Sequence, residues 1–64
     1  MKGIKSLRLK QKLTQSELAE KLGVKQTAIA MWETGMNYPR AEMLPLIAKI
    51  LNCTIDELYA EQSA

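Results

Sequence analysis

An all-helical fold of five short helices is predicted by three features of the chain. Over residues 15–35, QSELAEKLGVKQTAIAMWETG, the apolar positions Leu18, Ala19 and Leu22 recur at helical spacing. They stop at Gly23 and Val24, then resume as Ile29 and Trp32 on a second helical period. This is the pattern of two short helices around a tight turn. Thr14 with Glu17 and Thr54 with Glu57 form two capping-box signatures, each a marker of a helix start. With three glycines, two prolines and no sustained alternation of the strand type, nothing competes with the helical reading. The 64 residues suit one domain over 1–64 with a small core, burying about 60% of the surface exposed when unfolded.

The first helix is expected over about 2–12, with Ile4, Leu7 and Arg8 on one face. The second, about 15–22, starts behind the Thr14 cap and stops at Gly23, which can take the left-handed conformation while Val24 covers the corner. A third helix over about 26–34 turns Ile29 and Trp32 inward, so Gln26, Thr27, Ala30 and Met31 face outward by the 100° step. Helices of about eight residues are marginal alone in water, so each must bury its stripe against the others. Asn37 and Pro39 mark a loop after Gly35. The fourth helix, about 42–51, keeps Leu44, Ile47, Ala48 and Leu51 for the core. Pro45 is tolerable only in its first turn, so a late or distorted start is expected. Asn52 can end it in a left-handed conformation, and a short fifth helix over about 55–60 follows before a frayed tail.

LTQSELAEKLGVKQTAIAMWETG, followed by NYPR and LNCTIDELY, resembles the helix-turn-helix domain of the phage repressor and Cro (XRE) family. The likeness runs without a gap from about Ile4 to Tyr59. It rests on Gln15, Glu17, Leu18, Ala19, Gly23, Val24, Ile29, Glu33, Gly35 and Pro39 at the family's spacing. It implies a five-helix lambda-repressor-like domain whose second and third helices form the motif and whose third is the recognition helix. Two positions depart from the pattern. Lys25 stands where a small capping residue is usual and is a poor cap, so the recognition helix's first turn is expected to fray without DNA. Met31 stands where arginine, lysine or glutamine is common, and any base contact it makes is apolar.

The resemblance and the residue chemistry together name a double-stranded DNA partner. In this motif the N-terminal end of the recognition helix enters the major groove, which puts Gln26 and Thr27 first, with Lys25, Ala30 and Met31 as further base-reading candidates. Glutamine can pair with adenine at N6 and N7, and threonine can hydrogen-bond or set its methyl against thymine. Met31 either touches a thymine methyl or folds back over Tyr38 and Thr27. Ala28 lies too close to the second helix to read anything, and Trp32 belongs to the core with Ile29. Gln15, with Thr14, sits where free helix N–H groups favour a phosphate. The family places the loop along the DNA backbone, where Asn37, Tyr38 and Arg40 can donate to phosphate, Arg40 as a fixed-charge fork. Lys10 and Lys12 sit before the turn on a face that is either solvated or near phosphate. Arg8 on the core side wants a partner. Glu33 is the best candidate, and the resemblance implies such an ion pair, a structural reading favoured over a phosphate role for Arg8.

Charge distribution agrees with a polyanionic partner. Residues 1–40 carry eight basic side chains against three acidic ones, a balance of +5, whereas from Ala41 one lysine faces four acidic residues, a balance of −3. No His, a single Asp, no metal-ligand cluster and no Gly-rich phosphate loop point away from an enzyme, a cofactor or a metal. No stretch reaches the roughly 18 apolar residues needed to span a bilayer and no signal-peptide core is present, so a cytoplasmic protein without a membrane role is expected. Cys53 cannot form an internal disulfide and reads as a small buried hydrophobe between the last two helices, ahead of redox sensing or an intermolecular disulfide. Met43, Leu46 and Ile50 form an apolar stripe on the fourth helix. With Leu58 and Tyr59 it suggests a two-fold dimer contact. The leading expectation is a DNA-binding transcriptional regulator, a repressor acting as a homodimer on a near-palindromic operator. The competing one is a protein-interaction module, an antitoxin or accessory subunit using that stripe for a protein partner.

Overall fold

The computed structural model describes residues 1–59, and the expected frayed tail, with the last residue of the expected fifth helix, lies outside them. Five α-helices follow one another: α1 (Lys2–Lys10), α2 (Gln15–Leu22), α3 (Gln26–Thr34), α4 (Leu44–Ile50) and α5 (Ile55–Tyr59). A 3₁₀ turn over Ala41–Met43 leads into α4. α2 packs on α3, α1 packs on α3 and α5, and α4 closes against α2 and α5. Between them lies one core in which Ile4, Leu18, Ile29, Ile47, Leu51 and Leu58 are fully buried, with Trp32 set among them. Met1 joins this core, and its amino group donates to the Trp32 carbonyl at 2.6 Å.

Both capping boxes form. Glu17 N–H donates to the Thr14 hydroxyl at 3.0 Å and Thr14 N–H donates to Glu17 Oε1 at 2.8 Å. At α5 the same pair of bonds joins Glu57 and Thr54 at 3.1 and 2.8 Å. The ends of α1 to α4 share one device. Lys12, Gly23, Gly35 and Asn52 each take a left-handed conformation, with φ of 60°, 73°, 85° and 55°. The next residue's N–H then returns to a carbonyl one turn back: Leu13 to Arg8, Val24 to Ala19, Met36 to Met31 and Cys53 to Ala48.

Two boundaries differ from expectation. α1 stops at Lys10 rather than Lys12, because Lys12 is that left-handed residue and turns Leu13 onto the core. α4 starts at Leu44 rather than about residue 42, with Pro45 in its first turn. The missing Pro45 N–H and its crowded ring keep Ala41 out of the α-helix, and the tighter 3₁₀ turn takes up that stretch. Leu58, expected at a dimer surface, is instead fully buried. The capping box of α5 points that residue at α1, where the bare Gly3 lets the two helices meet. A Cβ on Gly3 would lie against the Leu58 carbonyl and 2.8 Å from the Glu57 carbonyl oxygen.

Candidate nucleic-acid interface

α3 is held by a charged pair sunk beneath its outward face. Glu33 lies on the buried side of α3, and Arg8 reaches it from α1: Nε donates to Oε2 at 2.7 Å and Nη2 donates to Oε1 at 3.2 Å. The third arm of the guanidinium closes on the Leu13 carbonyl at 2.8 Å, so the end of α1 is bound into the same unit. With both side chains less than a tenth exposed, this planar two-point pairing fixes position as well as charge.

The network then runs outward. Gln15, in the first turn of α2, donates its amide to Glu33 Oε1 at 3.0 Å, and its own carbonyl oxygen accepts from Gln26 Nε2 at 3.5 Å. Gln26, the first residue of α3, is therefore tied to the buried ion pair through a single intermediary. Sequence reading put Gln15 beside a phosphate. The structure makes it a brace for Gln26 and leaves it its second amide hydrogen as a donor. Thr14 is occupied with its helix cap, its hydroxyl oxygen accepting from Glu17.

Beside Gln26, the exposed residues of α3 are Thr27, Met31 and Thr34, with Ala30 and Ala28 half-buried, while Ile29, Trp32 and Glu33 face the core. Lys25 precedes the helix, exposed and with no side-chain cap. Val24 packs half-buried at the corner between α2 and α3. In the following loop Asn37, Tyr38 and Arg40 are exposed around a buried Pro39. Tyr38 and Arg40 line an open cleft together with Val24, Trp32 and Met43. Arg40 Nη1 lies 3.7 Å from Glu42 Oε1, a pairing open to solvent. Lys10 and Lys12 are exposed at the end of α1.

One loop contact escaped the sequence. The Asn37 side-chain amide donates to the Met31 sulfur at 3.6 Å, and its backbone N–H points at the Met31 carbonyl at 3.5 Å. Proximity of a loop side chain to a thioether six residues earlier has no periodic signature, because the left-handed Gly35 sets it. Of the expected apolar stripe, Leu46 and Tyr59 are each 43% exposed and Met43 and Ile50 are half-buried. Ile55, overlooked in the sequence, is also exposed on α5. Cys53 is half-buried against the core, and burial, then the nearby Glu57 carboxylate, push its thiol pKa up.

The sequence profile of the helix-turn-helix family matches residues 4–58, which takes in all of α2 and α3 and nearly all the rest of the described fold. The chain belongs to the Cro/C1-type helix-turn-helix family. Among its helix-turn-helix relatives it is 49% identical over 57 residues to the HTH-type transcriptional activator BcrR of Enterococcus faecalis, covering 89% of this chain and 28% of that protein. An uncharacterized HTH-type transcriptional regulator of Archaeoglobus fulgidus is 36% identical over 56 residues, 88% of this chain and 80% of its own length. The HTH-type regulator YqaE of Bacillus subtilis is 35% identical over 60 residues, 94% of this chain and 52% of its own. The chain thus spans little more than a quarter of the enterococcal relative and about half of YqaE. No solved structure matches. The chain thus carries a helix-turn-helix domain of the kind found in these transcriptional regulators. Among the described residues no helix is long and apolar enough to cross a membrane.

Proposed function

We propose that this chain binds a specific, near-palindromic operator as a homodimer and represses by occupying it. The observation that carries the base-reading part is the hydrogen-bonded line from Gln26 through Gln15 to the Glu33–Arg8 pair. A glutamine at the N-terminal end of a recognition helix reads adenine best with its amide held in one orientation, and the contact to Gln15 supports that reading. Gln26 and Thr27 read bases, with Lys25, Ala30 and Met31 alongside them. Lys10, Lys12, Arg40, Tyr38, Thr14 and the second amide hydrogen of Gln15 serve the phosphates. Dimensions favour two copies: the described residues extend 29 Å at most, whereas successive major grooves on one face lie about 34 Å apart. Leu46 and Tyr59, flanked by Met43 and Ile50, supply the dimer contact.

The test is selection of bound duplexes from a random pool at two salt concentrations. The expected product is an inverted repeat with half-site centres about ten base pairs apart. Arg40→Ala should then lower the slope of log affinity against log salt by about 1 without changing the recovered sequence. Gln26→Ala should relax the preference at one base pair. Recovery of no motif, with binding lost at moderate salt, would leave only the sequence-independent phosphate attraction and refute the operator reading. The exposed apolar side chains of α4 and α5 favour a second reading, a protein-interaction module. Partner binding that survives both Arg40→Ala and Gln15→Ala would select it. Regulatory sign follows from a reporter behind the recovered site: falling expression supports repression, rising expression an activator, as the enterococcal relative is named.

A further inference from the structure

The outward face of α3 has an unusual chemistry for a helix that reads DNA. Between Gln26 and Thr34 there is no lysine, arginine or asparagine. The commonest specific contact, a basic side chain forked onto guanine O6 and N7, is therefore closed to the helix itself. Beyond Gln26 the side chains turned outward are Thr27, Ala30, Met31 and Thr34, and each ends in or carries a methyl group. Only one feature of the major-groove edge is apolar, the C5-methyl of thymine.

Met31 is the largest of these groups, 39% exposed, and a free methionine would sample several rotamers and discriminate poorly. It is not free. Asn37 donates to its sulfur at 3.6 Å, while its carbonyl accepts from Met36 N–H at 3.0 Å and from the Thr34 hydroxyl at 3.2 Å. The thioether is thus tied to the loop by one hydrogen bond, and the Met31 backbone carbonyl by two more to the residues that follow.

We propose that Met31, held by Asn37 as a positioning residue, reads a thymine C5-methyl group in the operator half-site. This rests on the DNA-reading assignment above and names the atom recognised. Asn37, in consequence, serves the bases through Met31 more than it serves a phosphate. The neighbouring Thr27, one helical turn earlier, extends the same apolar strip toward the base pair read by Gln26.

The experiment compares two versions of the selected duplex, one with thymine and one with uracil at each position in turn. The pairing and backbone are the same, and only the methyl is removed. At the contacted position the uracil duplex should bind about three- to fourfold more weakly, the effect of one methyl leaving an apolar contact. Met31→Ala should abolish that difference, and Asn37→Ala should shrink it by weakening the thymine duplex while leaving the uracil duplex unchanged. Met31→Gln keeps the side chain's length on an exposed site and should fold normally yet lose the discrimination. Equal affinity for thymine and uracil duplexes at every position would overturn the proposal while leaving operator recognition intact. So would an Asn37→Ala loss that is equal on both duplexes, the mark of a phosphate contact. A pool that yields no motif would take down the operator reading and this one together, which distinguishes the two failures.

Discussion

Glu33 is the residue on which most depends. It accepts from Arg8 twice and from Gln15 once while almost fully buried. Glu33→Ala would leave the guanidinium of Arg8 facing the core without its counter-charge, at a cost of about 3 to 5 kcal/mol in a urea titration. A loss under about 1 kcal/mol would mean that water reaches the pair freely. Glu17 offers a milder, pH-dependent case. The Thr14 backbone N–H, then the Thr14 side chain, lower its carboxyl pKa, with Lys21 adding to the effect. A carboxyl held low in the folded state contributes stability above its unfolded pKa and loses it as pH falls through the folded value. Glu17→Gln keeps an acceptor for the cap but cannot titrate. Its thermal midpoint should therefore decline less between neutral and acid pH than the parent's, and parallel curves would assign the acid response to other carboxylates.

At the scale of the helices, the endings and the α1–α5 contact matter most. Four helices close with the same left-handed residue, but two of the four positions are a lysine and an asparagine. Asn52 and Gly23 were legible because those residue types tolerate the conformation. Lys12 was not, because nothing in a lysine signals it and the turn is imposed by docking Leu13 on the core. Gly3 is the element-scale counterpart. It sits inside α1, where local propensity favours alanine, yet its missing Cβ admits the carbonyls of Glu57 and Leu58. Gly3→Ala should thus destabilise by about 1 to 3 kcal/mol in a thermal or urea melt, the range for overpacking, where propensity alone predicts a gain. A stabilised variant would show that α5 can move away without loss.

For the whole molecule, the basic and acidic halves divide the work. The basic half of the sequence contains the helix-turn-helix and the acidic half the apolar side chains of α4 and α5, a division that supports the proposed pairing of a DNA-binding part with a dimer contact. Leu46→Asp, on a side chain already 43% exposed, should leave the monomer's melting little changed but abolish dimers in sedimentation equilibrium at high concentration. It should also weaken binding to a full operator far more than to a half-site. Unchanged mass and affinity would remove α4 from the dimer contact.

Periodicity, the two capping boxes, Gly23 and Asn52 were enough to read the helix order, the turn, the distorted entry at Pro45 and the core positions of Ile29, Trp32 and Ile47. These are local properties, set by each residue's allowed dihedrals and by the 3.6-residue repeat, so a linear string carries them. Contacts between separate elements are of another kind. That Gln15 donates to Glu33 and accepts from Gln26, that Leu58 is sealed against α1, and that Asn37 donates to the Met31 sulfur all depend on how helices dock. Docking distance is set by what a neighbour lacks, such as a Cβ at Gly3, and by where a left-handed residue sends the chain. Those quantities exist only once the elements share one core, because no residue's own chemistry encodes its distance to another twenty positions away.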